Sequence, residues 1–158
     1  MNFSIAALLA VASASKSSFP SFDSFHAHCE LQTVFEAPCD SVLSSLETTA
    51  TTFTDPASGL YELKEDSAAD YFWVTRTTPV KKYVDDILFQ TEGASVNGGC
   101  KITAKSRSQT LSYYDYETNY CNMYNVFRAS GVTFGTVATP SCKWVPTPAD
   151  LLATCDKY

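Results

Sequence analysis

Two adjacent aspartates (Asp85, Asp86), an arginine between two serines (Ser106-Arg107-Ser108), and Asp115 and Asn119 four residues apart are the side chains here that could carry acid–base chemistry. A hydrolase would use Asp85 or Asp86 with Arg107. Neighbouring residues of a strand point to opposite faces, so the two aspartates are a poor catalytic pair for one substrate atom. A cross-strand ion pair between one of them and Arg107, which would also fix sheet register, is the preferred reading. Asp115 and Asn119 read first as turn and helix-start residues. Ser106, Ser108 and Ser112 would need a base to act as nucleophiles. The chain has only His26 and His28, and no G-x-S-x-G turn.

Aromatic side chains are the stronger clue. Tyr113, Tyr114, Tyr116, Tyr120 and Tyr124 crowd one short span, and with Phe72 and Trp73 they could line a groove between sheet and helix. Tyrosine offers a broad apolar face with a polar tip, suited to an apolar or sugar-like ligand. Packing of a small core and its rim is the simpler account. His26 and His28 would share a strand face but have no evident third ligand, so no metal is expected. Phosphate loops, dinucleotide fingerprints and metal-binding helix motifs do not occur, and no cofactor is expected.

The setting comes from charge and cysteines. The formal net charge of −6 makes nucleic acid a poor partner. Residues 2–14 are uncharged, with an apolar run from Phe3 to Val11 and then Ala12-Ser13-Ala14, the pattern of a secretory signal peptide cut after Ala14. That run is short for a transmembrane span. Cys29, Cys39, Cys100, Cys121, Cys142 and Cys155 remain, an even number that points to disulfides in an exported chain. Sequence does not choose the pairing. The local set Cys29–Cys39, Cys100–Cys121, Cys142–Cys155 is preferred. The compartment expected is the exterior or the secretory lumen, with a plastid or thylakoid lumen as alternative.

These residues must be held by a small set of elements. After a loose arm (15–30), Leu31–Ala37 suits a strand and Asp40 can cap a helix over Ser41–Thr52, with Val42, Leu43, Leu46, Ala50 and Phe53 on one face. Leu60–Glu65 and Asp70–Thr78 form a hairpin around a turn at Asp66–Ala69. Pro79–Gln90 fits a helix or a strand equally well by pattern. Gly93, Asn97, Gly98 and Gly99 mark a hairpin turn into a strand with Lys101, Thr103, Lys105 and Arg107 on one face. A helix runs from Thr118 to Ser130, stopped by Gly131. Val132–Ala138 is extended, and Thr147-Pro148-Ala149-Asp150 opens a terminal helix reaching about Asp156.

The segments Tyr83-Val84-Asp85-Asp86-Ile87-Leu88-Phe89 and Ser106-Arg107-Ser108, followed by Ser112, Asp115 and Asn119, resemble the family called domain of unknown function 1499. Its pattern is an aromatic-Val-Asp-Asp strand, a turn, a Ser/Arg-rich strand end, and an Asp followed by Asn before a helix. The likeness covers about Phe35 to Arg128. This chain departs from it in its six cysteines and in a tyrosine-rich helix where the family's is Arg/Lys-rich. The resemblance implies that 79–90 is a strand and that the fold is compact α+β with an antiparallel sheet. It implies no activity.

The fold expected is therefore one α+β domain over 31–158, with four or five antiparallel strands, two main helices on one face and a short C-terminal helix. The role expected is a non-catalytic binding or structural module. A carrier of a small apolar ligand and a hydrolase are the alternatives, and a protein partner is also open.

Overall fold

The computed structural model describes residues 16–68, 70–93 and 98–158. The signal segment, Ala69 and the Asn97 end of the expected hairpin turn lie outside the described residues.

Five strands form one antiparallel sheet in the order β1-β5-β4-β3-β2. They are β1 (His28–Phe35), β2 (Leu60–Ala68), β3 (Tyr71–Thr77), β4 (Val84–Thr91) and β5 (Cys100–Ser108). Helices α1 (Cys39–Thr52) and α2 (Thr118–Ala129) cover one face, and α3 (Leu151–Cys155) packs at the C-terminus. The helix side of the sheet presents Leu31, Phe35, Phe72, Val74, Ile87, Phe89, Ile102 and Ala104, all fully buried against Val42, Leu46, Met123, Val126 and Phe127. This is the main core, and it makes the fold α+β as the sequence implies.

The segment left undecided by periodicity is β4, preceded by a turn in which Thr78 N–H bonds to the Tyr83 carbonyl at 2.8 Å. Its pattern is ambiguous because β4 is buried on both faces, so apolar residues run nearly continuously instead of alternating. Val80 and Tyr83, which precede β4 and would lie on the apolar face of a helix there, are exposed.

Element ends differ at several points. α1 begins at Cys39 with Pro38 at its cap position, and Asp40 lies in the first turn, where a carboxylate suits the helix dipole. β1 starts at His28 and β2 runs on to Ala68 through irregular pairing with β3. α3 is shorter than expected, although Thr147 and Asp150 do bond to each other at 2.7 Å. α2 ends where glycine was read as the stop: Gly131 has φ +70°, a left-handed conformation glycine adopts without strain.

The pairing of cysteines differs from the local set. The bonds are Cys29–Cys142, Cys39–Cys100 and Cys121–Cys155. Topology forbids the local choice. Cys29 pairs in register with Ser106 at one end of β1, while Phe35 at the other end pairs with Cys100, and Cys39 follows it. A strand rises about 3.3 Å per residue, so Cys29 and Cys39 are held roughly 20 Å apart. Cys100 and Cys121 are separated in the same way by the length of β5. Cys142 is brought to β1 by the extended segment before it, which bridges Gln32 to Ala138 and Phe35 to Phe134 and covers the β1 edge.

Three disulfides are the mark of an oxidising, extracellular or lumenal environment. No helix among the described residues is long and apolar enough to cross a membrane.

Candidate functional site

The β4–β5 register places Asp85 opposite Ser108, Asp86 opposite Arg107 and Ile87 opposite Ser106. Alternation then sorts the expected polar cluster onto two faces. Asp85, Ser106 and Ser108 face the helices, together with Asp115 and Asn119. Asp86 and Arg107 face the other way.

On the helix face the polar groups form one buried chain. Ser108 Oγ donates to Asp85 Oδ1 at 2.6 Å, and Asn122 Nδ2 donates to Asp85 Oδ2 at 2.8 Å. Asn122 Nδ2 also reaches Ser106 Oγ at 3.2 Å, and Ser106 donates to Asn119 Oδ1 at 2.7 Å. Asn119 Nδ2 donates to Asp115 Oδ2 at 2.9 Å. Helical spacing explains the arrangement: Asn119 and Asn122 are one turn apart and both meet the sheet. Burial pushes the carboxyls of Asp85 and Asp115 up from the usual range, although hydrogen bonds oppose the shift at both.

Beside this chain lies a buried ion pair that sequence reading missed. Arg76, which pairs in register with Asp85, donates through Nε at 3.0 Å and Nη2 at 2.6 Å to Asp55 Oδ2. Gly59 N–H adds a third bond to the same oxygen at 2.7 Å. Any side chain at Gly59 would collide, since a Cβ there would lie 2.5 Å from Arg76 Nε. Tyr61 completes the wall, donating from its hydroxyl to the Asn122 carbonyl at 2.8 Å, and burial pushes its phenol strongly up. The available signal was a run of asparagines, Asn119, Asn122 and Asn125, on the inward face of an otherwise apolar helix.

Both ends of the chain of polar groups, Asp85 with Ser108 and Asp115, reach a groove of about 420 Å³. Its walls are the Thr110–Thr118 loop on one side and Thr78 with Tyr83 on the other, and Asp85, Ser108 and Asp115 line it as well. Tyr113, Tyr114 and Tyr116 stand 59%, 57% and 64% exposed along it, with Leu111. Tyr114 and Tyr116 stack with ring centroids 6.2 Å apart, and Trp144 backs Tyr114 at 5.4 Å. The loop is set by two consecutive residues in left-handed conformation, Tyr116 (φ 49°) and Glu117 (φ 65°), which cost roughly 1–3 kcal/mol each.

The seven aromatics expected to share one groove do not. Tyr113, Tyr114 and Tyr116 line it. Phe72 is a core residue stacked on Phe89 at 4.8 Å, and Tyr120 is buried beside Tyr124 in the same core region. Trp73 is on the opposite face of the sheet, packed with Tyr71 and Leu88. The reason is again strand alternation: consecutive Phe72 and Trp73 must part.

The opposite face carries the other half of the expected cluster. Asp86 accepts from Lys64 Nζ at 2.8 Å and Trp73 Nε1 at 3.0 Å. Arg107 donates to Asp23 Oδ2 at 2.7 Å. The expected Asp–Arg107 ion pair is therefore absent from the described pairs, although Asp86 and Arg107 are register neighbours, because each has a partner from another segment. His26 Nδ1 lies 2.9 Å from Asp23 Oδ1, and His28 Nδ1 bonds to the His26 carbonyl at 2.9 Å. Both are thus removed from Ser106, which faces the helices. The described residues include no group of three or more His, Cys, Asp or Glu that could hold a metal.

No family model matches this chain, and no curated protein does. Among solved structures it is similar to a conserved protein from Geobacillus kaustophilus, at 6% identity and a TM-score of 0.42, over 69% of this chain and 99% of that one.

Proposed function

We propose that this chain is a non-catalytic binding module of an exported compartment, with the tyrosine-walled groove as its ligand site. The observation that carries the reading is the cluster of exposed aromatic faces around an opening that leads down to buried carboxyls. Surface aromatics gathered at a concavity are unusual for a side chain whose only task is to pack. The hydrolase reading has less support, because Asp86 and Arg107 are separated by the sheet from Asp85 and Asp115. A carrier of a wholly apolar ligand fits less well than a binder of a mixed one, because Asp85, Ser108 and Asp115 line the groove.

Kinship with the domain of unknown function 1499 is proposed alongside. It is supported by the way its pattern residues Asp85, Ser106, Ser108, Asp115 and Asn119 join a single hydrogen-bonded chain. Secretion is proposed from the 1–14 segment, with a plastid or thylakoid lumen as the alternative destination.

Native mass spectrometry of the exported protein tests the main reading. A small molecule should co-purify with the wild type and be lost when Tyr113, Tyr114 and Tyr116 are changed together to Ser. A clean apo mass, with no binding to a ligand library, would reject it. The same spectrum should show a chain starting at Ser15 with all six cysteines oxidised.

A further inference from the structure

Twelve residues line the groove, and their chemistry is selective. Lys, Arg and His are all missing from that set, and Lys143, whose ammonium lies over the Tyr113 ring, is a cation beside it. Five members are hydroxyl residues (Thr78, Ser108, Thr110, Ser112, Thr118), and Tyr83 adds a phenol from the facing wall. Ser108, Ser112 and Thr118 already donate to Asp85, the Tyr114 carbonyl and the Asp115 carbonyl, so they offer lone pairs, which suits a neutral ligand rich in hydroxyl donors.

Asp115 supplies the directional element. Its residue is only 7% exposed, and Oδ2 is held by Asn119, while Oδ1 is buried without a partner. An unsatisfied buried acceptor is costly, and a ligand hydroxyl that donates to it would recover that cost. The aromatic face nearest a cation is already taken: Lys143 Nζ sits 3.2 Å over the Tyr113 ring. That leaves the rings of Tyr114 and Tyr116, 6.2 Å apart and more than half exposed, as the apolar faces open at the groove.

We infer that the groove binds a neutral sugar ring, laid against the exposed ring of Tyr114 or Tyr116 with a hydroxyl directed to Asp115. The inference rests on the binding-module reading and narrows it to a ligand class. A volume of 420 Å³ lies in the range of small-ligand pockets, about 300–1,000 Å³. The axial C–H groups of a pyranose meet a tyrosine face as an apolar surface, while the ring edge meets the hydroxyl walls.

Isothermal titration with four probe sets tests it: neutral gluco-, manno-, galacto- and N-acetylglucosamine oligosaccharides; a uronic-acid oligomer; tetraethylammonium; and a medium-chain fatty alcohol. At least one neutral oligosaccharide should saturate the protein. Either Tyr114→Ala or Tyr116→Ala should weaken that binding roughly tenfold and Asp115→Asn by a similar factor, with thermal unfolding of the tyrosine variant close to wild type. Both tyrosines are exposed, so these variants remain informative if Asp115→Asn is unstable. Saturable binding of the alcohol or the ammonium ion, lost in Tyr114→Ala or Tyr116→Ala, would overturn the sugar assignment and leave the binding module standing. Sugar binding indifferent to both tyrosine variants would also overturn it. Silence from all four probe sets would remove both readings.

Discussion

Asp85 and Asp86 are consecutive, yet they live in different chemistries because the sheet lies between them. Asp85 faces the helices, where its partners are neutral: a serine hydroxyl and an asparagine amide. Asp86 faces the other side, where a lysine ammonium and an indole N–H hold it. The two faces are also closed by different means. On the helix face, β1 is bonded through Cys29 to Cys142, β5 through Cys100 to Cys39 of α1, and α2 through Cys121 to Cys155 of α3. The other face is covered by the arm before β1, through contacts without a covalent bond. Phe19 packs on Trp73 at 5.1 Å, Lys16 pairs with Asp70 at 2.8 Å, and Asp23 pairs with Arg107. The lesson is that the helix face is built to stay shut while the arm face depends on pairing in partial contact with water.

Breaking the covalent side should have the largest effect. Replacing Cys29 and Cys142 together with Ala opens a closure spanning 113 positions. Loop entropy assigns such a closure about 5 kcal/mol, read as a fall in the urea midpoint. Arg76→Met should follow, at roughly 3–5 kcal/mol, because it strands the buried Asp55 carboxylate. Gly59→Ala, which forces a methyl onto the same pair, should cost roughly 1–3 kcal/mol, and its effect should overlap with that of Arg76→Met in a double-mutant cycle. On the arm face, Asp86→Asn should cost about 1 kcal/mol or less and be salt-sensitive, because its partner Lys64 is 41% exposed.

The smallest effect is the most diagnostic, since the two faces should respond to pH with opposite sign. The Asp85 carboxyl is pushed up by burial, so the folded state retains its proton. Its contribution is complete below about pH 4, the unfolded-state value, and is lost as pH rises through the folded-state pKa. Asp85→Asn should flatten that decline in stability, with Asp115 leaving a residual slope of the same sign. Asp23 is held well below the usual carboxylate range, first by Arg107 and then by His26. Its contribution is present above about pH 4 and is lost as pH falls. Protection against hydrogen exchange across residues 16–27, taken relative to the intrinsic rate at each pH, should therefore fall in acid, and Asp23→Asn should lower it at neutral pH too. If both faces moved in the same direction, the contrast drawn between them would be wrong.

Much of the frame was legible because it is written in local periods. The inward residues of α1, the hairpin of β2 and β3, the strand from Cys100 and the glycine stop at Gly131 follow from spacing and turn chemistry within a few residues. Placement of β4 needed a resemblance, because a strand covered on both faces loses its alternation. Asp55 and Arg76 were not found, since nothing nearby in sequence marks an aspartate and an arginine 21 positions apart as partners, and Asn122 is marked only by its spacing from Asn119 and Asn125.

The residues alone determined most element types and the presence of an even set of cysteines, because each depends on short-range pattern or composition, while the strand at 79–90 and the antiparallel α+β class came with the family resemblance. Only the tertiary structure decided the disulfide partners, the parting of Asp85 from Asp86 and of Phe72 from Trp73, and the union of Asp85 with Asn122. The physical reason is strand order: β1 crosses to lie beside β5, and that placement sets which strand ends meet and which side chains share a face.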